Sequence, residues 1–212
     1  MQTFGSYAEL QEHDRDVHTY CTDCKRPFQS ESNLRHHLNS KLHRPANVRC
    51  QGRGCNRAFV SHSALVTHFE SGTCKSRMTR EQLDRLVVRT DTNNYITNPA
   101  RLLPGPLGRY EPPANTVTWA TERSWNALSM AFECFLCHKT FNTLPRLNQH
   151  LQSPVHQDKI YRCPKSDCRT KFVTLSGLCQ HVEGGSCGVR MFRQVRDVMD
   201  GLTMSFNALT VY

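Results

Sequence analysis

Residues 21–74 read CTDCKRPFQSESNLRHHLNSKLHRPANVRCQGRGCNRAFVSHSALVTHFESGTC, and residues 134–187 read CFLCHKTFNTLPRLNQHLQSPVHQDKIYRCPKSDCRTKFVTLSGLCQHVEGGSC. Both stretches carry Cys and His at the same places, displaced by 113 residues. Cys21, Cys24, His37, His43, Cys50, Cys55, His68 and Cys74 return as Cys134, Cys137, His150, His156, Cys163, Cys168, His181 and Cys187. The spacings are C-x2-C-x12-H-x5-H and C-x4-C-x12-H-x5-C, each occurring twice. Two thiolates with two imidazoles, or three with one, are the closed donor sets of structural zinc. The chain therefore reads as a duplicated two-site module that takes four structural zinc ions.

Composition agrees with a metal-stapled chain. A unit of about 25–30 residues buries too little apolar surface to fold unaided. A structural zinc supplies the missing stability, on the order of 10–16 kcal/mol apparent. Ten of the eleven cysteines are ligand candidates, and Cys179 is left over. A disulfide framework would not explain six histidines in register with those cysteines. Zinc-bound thiolates point to a reducing compartment, the nucleus or cytosol, and no secretory apolar segment opens the sequence. No apolar run nears the roughly 18 residues of a membrane span. The formal charge is +9. It resides in the paired sites: residues 21–74 hold eight basic and three acidic side chains, and residues 134–187 hold seven and three. A basic surface of this kind suits a polyanionic partner.

Between the second Cys and the first His, each unit repeats an aromatic and a leucine. Phe28, Phe59, Phe141 and Phe172 fall four residues after the second Cys, and Leu34, Leu65, Leu147 and Leu178 fall ten after it. The leucine and the first His share one helical face. This grammar resembles the C2H2-type zinc-finger family, in which a β-hairpin is followed by a helix. The resemblance implies a small zinc-stapled α+β fold, with tandem ββα zinc fingers in two modules joined by a Pro-rich linker. Finger one is expected over 21–43, finger two over 50–74, finger three over 134–156 and finger four over 163–187. The paired long-gap arrangement also resembles fungal multi-finger proteins.

The last ligand pair is five residues apart, and a regular helix forbids that. Ligands at i and i+6 differ by about 240° around the axis, so the helix must end between them. Gly72, and Gly184 with Gly185, supply the break in fingers two and four. Pro154 supplies it in finger three, and Ser40-Lys41 in finger one. The long gap resembles matrin-type, spliceosomal-type and double-stranded-RNA-binding fingers.

In C2H2-type fingers, helix positions −1, 3 and 6 contact successive bases. Those positions are Ser30, Asn33 and His36; Ser61, Ala64 and Thr67; Thr143, Arg146 and Gln149; and Thr174, Gly177 and Gln180. Asn33, Arg146, Gln149 and Gln180 are of the types that read base edges, and Arg35 of the type that meets phosphate. Small residues fill most other positions. The inter-finger linkers RPANVR and QDKIYR do not resemble the TGEKP linker of groove-tracking fingers. Little code-like readout is expected.

Outside the fingers, residues 1–20 hold Phe4, Leu10, His13 and His18 at the spacing of the back half of a finger. They read either as a truncated finger remnant or as an acidic helix with surface histidines. Residues 75–133 read as a helix at MTREQLDRLVVR, with Thr79 and Gln82 as a capping box, then a Pro-rich linker. Trp119 and Trp125 are expected to pack on finger three. Residues 188–212 read as a C-terminal helix or tail.

The functional expectation is a nuclear zinc-binding protein that binds DNA or double-stranded RNA as a transcription- or RNA-related regulator. The alternative is a zinc-finger scaffold for protein partners. No catalytic residue, small-molecule substrate or membrane partner is expected, since every zinc set is closed and no phosphate-cradling loop appears.

Overall fold

The computed structural model describes residues 5–17, 19–102, 119–185, 187 and 188. Phe4, His18, most of the Pro-rich linker and the expected C-terminal helix lie outside them. The described residues form two compact units.

The first unit runs up to Cys50 and adds Asn56–Leu65. Helix α1 (Tyr7–Val17) leads into the antiparallel pair β1 (Thr19–Cys21) and β2 (Arg26–Phe28), which α2 (Glu31–Leu38) follows. Thr19 pairs with Phe28 across the hairpin. A second pair follows, β3 (Val48–Arg49) with β4 (Ala58–Phe59), where Val48 faces Phe59. It leads into α3 (His62–Glu70), whose first residues belong to this unit. These strands are only two or three residues long, because the metal ligands rather than a sheet hold each hairpin to its helix.

The second unit holds Gln51–Cys55 and the described residues from Val66 onward. Helix α4 (Arg80–Thr90) starts at a complete capping box, Thr79 with Gln82, and buries Leu83, Asp84 and Val87. Finger three is built of β6 (Ala131–Glu133), β7 (Thr140–Phe141) and α5 (Leu144–Gln152). A third strand, β5 (Trp125–Asn126), adds to its hairpin on the β6 side. Trp125 meets Phe132 edge-on at 5.1 Å between ring centroids. Ala120 and the Asn148 side chain exchange two hydrogen bonds, of 2.7 and 3.2 Å, which tie the preceding segment to α5. Trp119 itself stays mostly exposed. Finger four is built of β8 (Tyr161–Arg162), β9 (Lys171–Phe172) and α6 (Leu175–Gly184).

The segment after α4 joins finger four through an isolated antiparallel bridge, Thr97 to Tyr161. Asn98 N donates to Ile160 O at 2.7 Å, and Arg162 N donates to Ile96 O at 2.8 Å. One buried carboxylate shapes that segment. Asp91 accepts from the backbone nitrogens of Tyr95, Ile96 and Thr97 at 2.8–2.9 Å, and from the Thr97 hydroxyl at 2.8 Å. The Tyr161 hydroxyl donates to Asp84 on α4. Burial pushes the Asp84 carboxyl from 3.8 up to about 6, against the opposing pull of Tyr161 and of Arg80 at 3.7 Å. Val66, Phe69, Met78, Leu83, Val87, Ile96, Tyr161, Leu175, Leu178 and Cys179 are buried in this unit. Burial also raises the Cys179 thiol pKa, so this residue acts as a small apolar filler.

Candidate metal centres and nucleic-acid interface

Each set of Cys and His ligands converges. In all four groups, Cys21/Cys24/His37/His43, Cys50/Cys55/His68/Cys74, Cys134/Cys137/His150/His156 and Cys163/Cys168/His181/Cys187, the ligand atoms lie within 4.8 Å of one another. Separations run from 2.9 Å, for His43 Nε2 to His37 Nε2 and for His181 Nε2 to Cys187 Sγ, through 3.3 Å for Cys137 Sγ to His150 Nε2, to 3.7 Å for Cys163 Sγ to Cys187 Sγ. Tetrahedral zinc with N and S bonds of about 2.0–2.3 Å sets ligand atoms roughly 3.3–3.8 Å apart. The donor sets therefore fit four structural zinc ions. No disulfide joins any of the eleven cysteines.

The imidazoles turn Nε2 to the centre and leave Nδ1 for support. His68 Nδ1 meets Thr73 Oγ1 at 3.1 Å, and His43 Nδ1 meets Asp23 at 3.4 Å. Such partners fix the ring and its tautomer. Burial pushes the Cys163 thiol up to about 12 when no metal is beside it, so zinc must displace a tightly held proton there.

The long gap is spanned as the helix geometry requires. Helix α6 ends at Gly184, and Gly185 takes the left-handed conformation with φ 67°. Gly72 does the same after α3 with φ 65°. After α5, Ser153 leads into a 3-10 turn, Pro154–His156, that carries the last ligand. After α2, a turn closed by Ser40 N to His37 O and His43 N to Ser40 O brings His43 back.

Gly52 is fixed by the metal ligands. A Cβ there would sit 2.5 Å from Cys74 Sγ and 3.0 Å from Ser76 Oγ. The metal pins that sulfur, so it cannot retreat. Gly52→Ala is expected to cost about 1–3 kcal/mol, the usual range for overpacking. A graded chelator titration should then release one zinc from the variant well before the wild type yields any. An unchanged titration would show that the loop adjusts freely. At the matching place finger four has Lys165, whose ammonium donates to Cys187 O at 2.7 Å.

The helix faces are less generous than their residue types suggest. Ser30 Oγ accepts from Asn33 N, Ser61 Oγ from Ala64 N, and Thr174 Oγ1 from Gly177 N, at 3.1–3.2 Å. Position −1 is thus a helix cap in these three fingers. Asn33, Arg146, Gln149 and Gln180 are exposed. Arg35 is exposed but bridged to Glu31 at 2.9 Å, one turn back. Glu70 went unnoticed in the sequence. It ends α3, and its carboxylate accepts from Leu175 N at 2.8 Å and Ser176 N at 3.2 Å at the start of α6. Its signal was the Glu shared by HFESGTC and HVEGGSC.

Two family models match. One, described as zinc-finger double-stranded RNA-binding, covers residues 19–44. The other, described as zinc-finger of C2H2 type, covers residues 132–156. Among curated proteins, the chain is similar to transcription factor IIIA of Schizosaccharomyces pombe. The two are 33% identical over 69 residues, covering 31% of this chain and 18% of that relative. Among the described residues, no helix is long and apolar enough to cross a membrane. Fingers two and four have Cys in place of the last His but share the hairpin, the interrupted helix and the converging ligands of the two matched fingers, so the chain carries C2H2-type zinc fingers as its repeated modules.

Proposed function

We propose that the chain is a nuclear regulator that binds double-stranded nucleic acid, DNA or RNA, mainly through phosphates and shape. The observation that carries this reading is the sparse set of side chains left on the finger helices. Capping takes position −1 in three fingers, and Ala64 and Gly177 offer no polar group at position 3. What remains is a net positive surface with a few long polar side chains, namely Asn33, Arg35, Arg146, Gln149 and Gln180. That combination suits phosphate contact with occasional base contact, not a finger-by-finger code. The likeness of finger one to a double-stranded-RNA-binding family, and of part of the chain to a transcription factor, supports the same reading.

A salt series tests it. Contacts to about six phosphates give a log–log slope near −5, or roughly a thousandfold loss between 50 and 200 mM salt. The zinc-loaded chain is expected to show such a slope with random-sequence duplex RNA or DNA. The duplex bound more tightly identifies the physiological class. No binding to either at low salt would overturn the reading.

A second reading, a protein-interaction scaffold, draws on one observation. Leu128 and Met130 at the turn before β6, and Phe135 and Leu136 between the ligands Cys134 and Cys137, are 97%, 71%, 58% and 52% exposed. Exposed apolar side chains so close together in sequence suit a protein partner. This reading gains if duplex binding fails.

A further inference from the structure

The start of a finger helix is the part that enters a nucleic-acid groove. In finger four that end is closed. The free N–H groups of a first helical turn need acceptors. Here Glu70 supplies them to Leu175 and Ser176 and also accepts the Ser176 hydroxyl, while Thr174 caps Gly177. Leu175 is fully buried, and the Arg80 guanidinium donates to the Val173 carbonyl just upstream. An approaching phosphate would meet a carboxylate already bonded to the donors it needs. Position 3 there is Gly177, with no side chain to offer.

The helix ends of fingers one and three are not treated this way. In finger three, Thr143 makes no side-chain cap bond, and Pro145, Arg146 and Gln149 are exposed. In finger one, Ser30 caps its own helix, and Asn33 and His36 are exposed. Among the described residues, no carboxylate from another finger bonds to the start of α2 or α5.

We propose that finger four is a docking finger, sealed by Glu70 of finger two, and that duplex contact falls on the helices of fingers one and three. This rests on the nucleic-acid reading above and assigns its surface. Charge supports the assignment. Arg146 carries an exposed positive charge without an ion pair among the described residues, whereas at the head of α6 the charges of Glu70 and Arg80 oppose each other. Glu70 is therefore a positioning residue that holds two fingers together rather than a contact to nucleic acid.

The experiment uses the full zinc-loaded chain, with four zinc ions verified per chain for each variant. Duplex RNA and duplex DNA of random sequence serve as probes at fixed salt. Arg146→Ala with Gln149→Ala is expected to weaken binding roughly tenfold or more, and Gln180→Ala less than about twofold. Equal losses from the two would overturn the assignment. Amide exchange at Leu175 and Ser176 tests the docking without any nucleic acid. It should be slow in the wild type and accelerate at least about tenfold in Glu70→Ala, because the amides lose their acceptor. Unaltered exchange would overturn the seal. If the wild type binds neither duplex, the nucleic-acid reading fails and the assignment to fingers one and three fails with it, and slow exchange at Leu175 and Ser176 would identify that case.

Discussion

Removing zinc is expected to unfold all four fingers, with loss of the far-UV helical signal of α2, α3, α5 and α6. The reason is the size of the units. Finger one has no fully buried residue on its helix, and its strands are three residues long. Apart from the metal, little opposes the chain entropy of such a unit. Structural zinc contributes on the order of 10–16 kcal/mol per site, as much as the whole stability of an ordinary domain. The loss should also have an order. All four ligands of finger two are buried, whereas Cys24 of finger one and Cys137 of finger three are exposed. A chelator reaches exposed sulfurs first, so fingers one and three should empty before finger two. Acid should act in the same direction as chelator, since protons compete for the same thiolates and imidazoles. Metal analysis showing fewer than four zinc ions, or a helical signal that survives their removal, would refute this account.

The zinc frame was legible because it is local. Ligand spacing, Phe and Leu positions and the Gly or Pro between the last two ligands all lie within one unit of sequence. The capping box of Thr79 and Gln82 was legible for the same reason. The added strand on finger three and the bridged segment on finger four were not. Trp125–Asn126 and Tyr95–Asn98 are too short to show an alternating pattern, and their partners are set by tertiary contact. Tyr161 shows the difference well. As a residue of the finger-four hairpin it is plain from its position two before Cys163. Its hydrogen bond to Asp84, 77 residues away, is invisible to spacing. The helix positions were legible as positions but not as free side chains. Ser30, Ser61 and Thr174 look available in sequence and are occupied by their own helices, as Arg35 is by Glu31.

Asp91→Ala is expected to have the largest effect of any substitution outside the zinc ligands. The side chain is 2% exposed and closes the turn that follows α4. One oxygen accepts from Tyr95 N, and the other accepts from Ile96 N, Thr97 N and the Thr97 hydroxyl. Alanine would leave the buried donors of Ile96 and Thr97 without an acceptor. Each such group costs about 1–3 kcal/mol, and a lost carboxylate more, so a total of about 3–5 kcal/mol is expected. The cost falls on the turn that presents Ile96 and Asn98 to β8, so protection of the Arg162 amide should fall while zinc content stays at four. Asp91→Asn separates charge from shape. Its carbonyl can stay with the three donors and its amide faces Tyr95 N, so one bond is lost instead of four. A cost of about 1–2 kcal/mol is expected. Equal losses from Asn and Ala would mean that the negative charge, not the acceptor geometry, organises the turn. A loss below about 1 kcal/mol from Ala would show that other contacts hold the bridged segment on finger four.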